Sequence, residues 1–267
     1  MTKSQKRAKV FSIVNQKGGV GKTTTTVNLA TAFAAIKKKI LLIDLDPQGN
    51  ASTGFGITPS QRQKTIYEVL INEYPIKSAI MPTRIPNLNI VTSTVDLSAC
   101  EIELATINKR EYILRLILKE IISDYDYILI DCPPSLGMLT VNALTASDSI
   151  LIPMQCEFFA LEGLSHLLTS LELVKENLNH SLKISGIILT MHDRRNKLTE
   201  QVEIDVRSFL KEKVFSNSIP RNVKLSEAPS HGLPGIIYDA KCPGSVAYIK
   251  LAKEILEREE NKVSHET

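Results

Sequence analysis

Short runs of consecutive apolar, mostly β-branched residues alternate along the chain with longer stretches in which apolar positions recur every three to four residues. Runs that are hydrophobic at every position suit strands buried on both faces, and the periodic stretches between them suit covering helices. The alternation predicts one α/β domain, a doubly wound, mostly parallel sheet with helices on both faces. Strands are expected at 10–15, 39–44, 88–92, 127–131, 149–153, 184–190 and a short 214–218. Helices are expected at 22–36, 111–122, 199–210 and 244–260. The clearest helix carries Leu161, Leu164, Leu168, Leu171, Val174 and Leu178 on one face. Residues 50–63, with Gly54, Gly56 and Pro59, read as a loop, as do 226–235. The domain is expected to fill residues 10–257, between a basic tail at 1–9 and a polar tail at 258–267.

A chain of 267 residues with 43% hydrophobic content buries a sizeable core. Its net charge of +3 makes any nucleic-acid site a local patch. With no Trp, 7 Phe and 7 Tyr, a stacking platform for single-stranded bases is not suggested. Cys100, Cys132, Cys156 and Cys242 have neither zinc-site nor disulfide-scaffold spacing. None of His166, His180, His192, His231 and His265 stands at a metal-ligand spacing. The longest apolar runs fall far short of the roughly 20 residues of a bilayer span, and the one after the basic N-terminus breaks at Asn15, too soon for a signal peptide. The expectation is a soluble, cytoplasmic protein.

The most informative stretch is Gln16-Lys17-Gly18-Gly19-Val20-Gly21-Lys22-Thr23-Thr24, between an expected strand and an expected helix. That is the context of a phosphate-binding loop, where glycines let backbone N–H groups approach phosphate oxygens and the helix N-terminus adds its positive dipole end. Lys22 would meet the β- and γ-phosphates, and the Thr23 hydroxyl would ligate Mg²⁺. Where the usual pattern has its first glycine, this chain has Gln16, followed by an additional lysine, Lys17.

Two acidic strand ends accompany the loop. The second strand leads into Asp44-Leu45-Asp46, whose carboxylates, two residues apart at the C-terminal edge of a strand, converge on one region. Another apolar strand closes on Asp131, the Walker B arrangement in which a carboxylate holds Mg²⁺ directly or through water.

Lys17 through Thr24 resembles the deviant Walker A motif of the ParA/MinD group of P-loop ATPases. Asp44 to Asn50, Asp131 to Gly137, Ala160 to Gly163 and the long block Ile219 to Gly232 resemble the chromosomal ParA (Soj) branch, so the resemblance spans nearly the whole chain. It implies ATP and Mg²⁺ as cofactors, bound by Lys17, Gly18, Gly19, Val20, Gly21, Lys22, Thr23 and Thr24. It implies that Lys17 reaches the partner's nucleotide in an ATP-dependent homodimer, and that Asp46 orients the attacking water. Asp131, Thr23 and, as a supporting partner, Asp44 would make the metal site, with Pro220 and Asn222 near the adenine. The resemblance further implies non-specific binding of double-stranded DNA at the nucleoid, and a ParB-like centromere-binding partner that stimulates hydrolysis during chromosome or plasmid segregation.

For DNA, the candidates are Arg194, Arg195 and Lys197 after the sixth strand, and Arg221 and Lys224 in the later block, with family position favouring Arg195 and Lys224. Residues 192–224 hold eight basic and five acidic side chains, so the local bias is modest. Three relatives compete. A MinD-like membrane-directed protein needs a basic amphipathic C-terminal helix, but from Lys253 onward five acidic residues face three basic ones. A nitrogenase iron protein needs cluster-binding cysteines, which the surroundings of Cys132 do not suit. A ParA-like ATPase that positions a protein cluster would share every motif.

Overall fold

The computed structural model describes residues 7–193 and 195–266. Seven strands form one sheet: β1 (Lys9–Ile13), β2 (Ile40–Asp44), β3 (Ile80–Pro82), β4 (Leu88–Val91), β5 (Tyr127–Asp131), β6 (Ser149–Gln155) and β7 (Lys183–Thr190). Their order is β3-β4-β2-β5-β1-β6-β7, parallel throughout except for the antiparallel edge strand β3. The principal helices are α1 (Lys22–Ala35), α2 (Ile113–Leu118), α3 (Met138–Ala146), α4 (Ala160–Asn177), α5 (Lys197–Leu210) and α6 (Pro243–Glu266).

Side-chain alternation divides each strand between two cores. Leu41, Ile43, Ile128 and Ile130 pack into one, under α2 to α5, whereas Ile40, Leu42 and Leu129 pack into the other, under α1 and α6. Helix α1 is buried on nearly every side although seven of its first ten residues carry polar side chains. Those groups are satisfied locally: Thr26 and Thr31 donate to the carbonyls four residues back, and Thr25 Oγ1 lies 3.0 Å from the hydroxyl of buried Tyr248 on α6.

Several expectations change. Residues 214–218 form no strand: Phe215 N and Ile219 N reach the β7 carbonyls of Ile187 and Leu189, but Glu254 takes the amides of Ser216 and Asn217, and Arg207 takes the Phe215 carbonyl. Side chains from α5 and α6 thus use the groups a ladder would need. Helix α3 and strand β3 were not expected. On α4 the buried stripe is Leu164, Leu167, Leu171 and Val174, while Leu161 is exposed. The loop at 50–63 contains the short helix Asn50–Gly54 and the turn Pro59–Gln61, and part of 226–235 is helical. At the front, Lys9 opens β1 and pairs with Glu259, and Arg7 pairs with Asp148. Residues 1–6 lie outside the described residues. At the other end α6 continues through the polar stretch to Glu266. Among the described residues, no helix is long and apolar enough to cross a membrane.

Candidate functional site

Strand order decides where the site lies. The chain leaving β1 crosses to β2 on one side, and the chain leaving β5 crosses past β1 to β6 on the other. A crevice opens at such a reversal, beyond the C-terminal strand ends. The loop after β1 occupies it, and the parallel register sets Asp131 beside both Ile13 and Asp44.

Gly19 and Gly21 have φ of +74° and +86°, the left-handed region that a side chain strains. A Cβ placed at Gly18 or Gly19 would meet nothing within 4 Å, so the loop wraps open space. Thr190 at the end of β7 braces it from behind, 2.8 Å from the Val20 carbonyl, and Asn15 accepts from the Lys17 amide at 2.9 Å. Lys22 turns back over the loop, its Nζ donating to the Lys17 carbonyl at 3.0 Å. Burial lowers the Lys22 pKa, against the pull of the Asp131 and Asp46 carboxylates. Lys17, in contrast, is exposed and pairs with Glu157 of the same chain.

The carboxylates differ in their engagements. Asp44 is fully buried, and its Oδ2 accepts from Ser52 N and Oγ at 2.8 and 2.7 Å. Asp46 Oδ1 accepts from Gln48 N at 2.9 Å. Asp131 is fully buried; Thr26 Oγ1 lies 2.9 Å from its Oδ1, and its Oδ2 has no hydrogen-bond partner among the described residues. Burial raises the Asp131 pKa and neighbouring Asp44 adds to the rise, while the Thr23 and Thr26 hydroxyls oppose it. Burial also raises Asp44, against the Ser52 hydrogen bonds.

Burial disfavours the charged forms of Asp44 and Asp131, a bound cation would favour them, and the unpartnered Asp131 Oδ2 is the atom from which a cation can be held. Among the described residues there is no cluster of three His, Cys, Asp or Glu for an all-protein metal cage. A single carboxylate and the Thr23 hydroxyl at a phosphate loop instead suit Mg²⁺, which is usually bound by one or two carboxylates plus substrate phosphates.

Pro220 and Asn222 do come to the loop. With Gly21, Thr24, Met191 and Tyr248 they line a cleft of about 310 Å³, and Asn222 caps the short helix Val223–Glu227 by accepting from Lys224 N. Pro220 and Arg221 also line a second groove of about 790 Å³, with His192, Arg195 and Lys250. One segment therefore walls both. Its position is set by His192, which exchanges backbone hydrogen bonds with Ile219 and Arg221 and lies 2.6 Å through Nε2 from Glu203.

Of the DNA candidates, Arg195 and Arg221 meet at this groove. Arg195 is largely exposed, and Asp193 holds it with two hydrogen bonds of 3.0 and 2.9 Å. Lys224 is not among the groove residues; it pairs with Glu227 at 2.9 Å and lies over the Tyr238 ring. Arg194 lies outside the described residues. Sequence reasoning missed Lys250, Ser52, Thr190 and Glu157. Only the i, i+3, i+4, i+7 spacing of Pro243, Val246, Ala247 and Lys250 marks a shared helix face.

The sheet order, the glycine loop and the carboxylates at adjacent strand ends define a P-loop nucleotide-binding protein with the additional lysine of the deviant Walker A group. The AAA domain family model matches residues 8–184. The chromosome partitioning protein ParA of Caulobacter vibrioides is 54% identical over 95% of this chain and 96% of its own length. The sporulation initiation inhibitor protein Soj of Bacillus subtilis is 50% identical over 92% and 98%. The chain belongs to the ParA/Soj family of chromosome-partitioning proteins, within the ParA/MinD group of P-loop ATPases. Among solved structures, cobyrinic acid a,c-diamide synthase from Mycobacterium smegmatis, with bound ATP analog and magnesium, superposes with a TM-score of 0.84 at 32% identity, over 95% of this chain and 96% of that one. A plasmid partition protein from Borrelia burgdorferi gives 0.76 at 29% identity, over 96% and 100%.

Proposed function

We propose that this chain hydrolyses ATP with Mg²⁺, dimerises in its ATP-bound state, binds double-stranded DNA without sequence preference, and segregates chromosomes or plasmids with a ParB-like protein that stimulates hydrolysis. The working unit is residues 10–257, acting in the cytoplasm on the nucleoid. The observation that carries the reading is the convergence of Lys22, Asp46 and the half-engaged Asp131 at the mouth of the glycine loop, with Lys17 exposed beside it.

The loop amides from Lys17 to Thr24 cradle the phosphates, Lys22 meets the β- and γ-phosphates, and Asp131 with Thr23 would hold the metal, with Asp44 as the supporting partner of that site. Mg²⁺, when bound, neutralises phosphate charge. Asp46, fixed by the Gln48 amide, orients the water whose oxygen bonds to the γ-phosphorus as the bridging bond to ADP breaks. The adenine occupies the cleft beside Pro220 and Asn222. In the dimer Lys17 exchanges Glu157 for the partner's phosphates, which supplies positive charge where the transition state develops negative charge. Arg195 and Arg221 contact DNA phosphates, with Lys224 at the margin of the patch.

Asp46→Ala is expected to bind ATP and DNA while losing hydrolysis, so that the dimer accumulates. Gel filtration with Mg–ATP that shows only monomer for this variant contradicts the reading.

A further inference from the structure

Arg62 is buried to 8% exposure, and all its hydrogen bonds go to neutral oxygens. Nε and Nη2 donate to the Ile57 carbonyl at 3.2 and 2.7 Å, Nη1 to the Ser93 carbonyl at 3.0 Å, and Nη2 to Thr53 Oγ1 at 2.8 Å. Burial disfavours the charged guanidinium, and the nearby Asp44 carboxylate, with which it shares no hydrogen bond, offsets only part of that penalty, so what Arg62 holds in place matters.

It holds the turn after Asp46. Gly49 has φ of +62°, and a Cβ there would come within 2.3 Å of Arg62 Nη1 and 2.8 Å of the Ser93 carbonyl. The guanidinium therefore lies directly against Gly49. Gly49 N donates to the Asp46 carbonyl at 2.9 Å and closes the turn that also presents Gln48 N to Asp46 Oδ1. Thr53, which Arg62 contacts, lies 3.1 Å through Oγ1 from the Gly49 carbonyl. Ser93, the other anchor, takes part through its amide in a contact with Ser52 Oγ, and Ser52 in turn holds Asp44.

We infer that Arg62 is a positioning residue for hydrolysis: its fork braces the turn at Gly49 and thereby fixes the Asp46 carboxylate relative to the attacking water. The inference rests on the role proposed above for Asp46. Arg62 itself meets no substrate, so its loss should be felt in the chemical step and little in nucleotide binding.

The test measures single-turnover hydrolysis at saturating Mg–ATP and the ATP Kd on the full chain, for Arg62→Gln, Arg62→Lys, Gly49→Ala and Asp46→Ala. Arg62→Gln is expected to lower the rate by about 10²-fold, the scale of a misplacement near 1 Å. Its ATP Kd should stay within about 3-fold, which separates chemistry from ground-state binding. Arg62→Lys should behave like Arg62→Gln, because lysine keeps the charge and loses the fork. Gly49→Ala, which pushes the same contact from its other side, should reproduce the split between rate and Kd. A wild-type rate in Arg62→Gln, or full rescue by Arg62→Lys, overturns the inference. Should the Arg62 variants fail to fold, a wild-type rate in Gly49→Ala overturns it equally. Undiminished hydrolysis by Asp46→Ala removes the Asp46 assignment itself, whereas an inactive Asp46→Ala beside a fully active Arg62→Gln removes only the role of Arg62.

Discussion

Asp44 and Asp131 stand side by side at the ends of β2 and β5, and among the described residues no cation is in hydrogen-bond contact with either. Burial raises both pKa values, Asp44 to about 6 and Asp131 to about 8. A carboxyl whose pKa is higher folded than unfolded favours the fold while protonated, and that contribution is lost as pH rises through the folded value. The ligand-free protein is thus expected to lose thermal stability as pH rises from the ordinary carboxylate range until the raised folded values are passed, with little further loss above them, and Mg–ATP should reduce the loss. Asp131→Asn should flatten the ligand-free profile. A Tm that climbs across this range would contradict the placement of these groups. The carboxylates were legible in the sequence because strand ends and spacing bring them together through local geometry. Arg62 and Glu157 were not, since their partners lie on segments up to 140 positions away and neither belongs to a spaced motif.

At the level of elements, helix α6 links the phosphate-loop helix to the groove. Its inner face buries Tyr248, Leu251 and Ile255 against α1, the helix that begins at the phosphate loop, while Lys250 faces the groove with Arg195 and Arg221. Leu251→Ala is expected to destabilise the fold by about 2–5 kcal/mol through lost burial and the cavity left behind. Tyr248→Phe, which strands the Thr25 hydroxyl, should cost about 1–3 kcal/mol. Both should lower the denaturant midpoint with little change in m-value, and an unchanged midpoint for Leu251→Ala would mean that α6 is not locked to the core. Most strands were readable because a buried parallel strand is apolar at every position. The segment after α5 misled because Arg207 and Glu254, remote in sequence or on another element, take its backbone groups. Helix α3 was missed because it is short and buries polar Thr140, Asn142 and Thr145 among its apolar residues, leaving no clean stripe.

For the whole molecule, a net charge of +3 makes any DNA site a local patch, and the groove gathers Arg195, Arg221 and Lys250, against Asp193, next to the cleft at the glycine loop, through the wall formed by Pro220 and Arg221. In the proposed dimer, two chains would double the patch and convert weak phosphate contacts into avidity, so DNA affinity should follow the nucleotide state. Each lost phosphate contact should reduce the salt slope of log K by about 0.9, and Arg195→Glu should weaken DNA binding while ATP-driven dimerisation persists. Unchanged DNA binding in that variant removes Arg195 from the site.

The most direct measurement is binding of the full chain to a random-sequence duplex without nucleotide, with ADP and with Mg–ATP, each across a salt series. Tight binding with Mg–ATP alone, weakening steeply as salt rises, is the expected result. Binding that ignores the nucleotide, or is absent in all three states, would contradict a nucleotide-switched DNA-binding dimer.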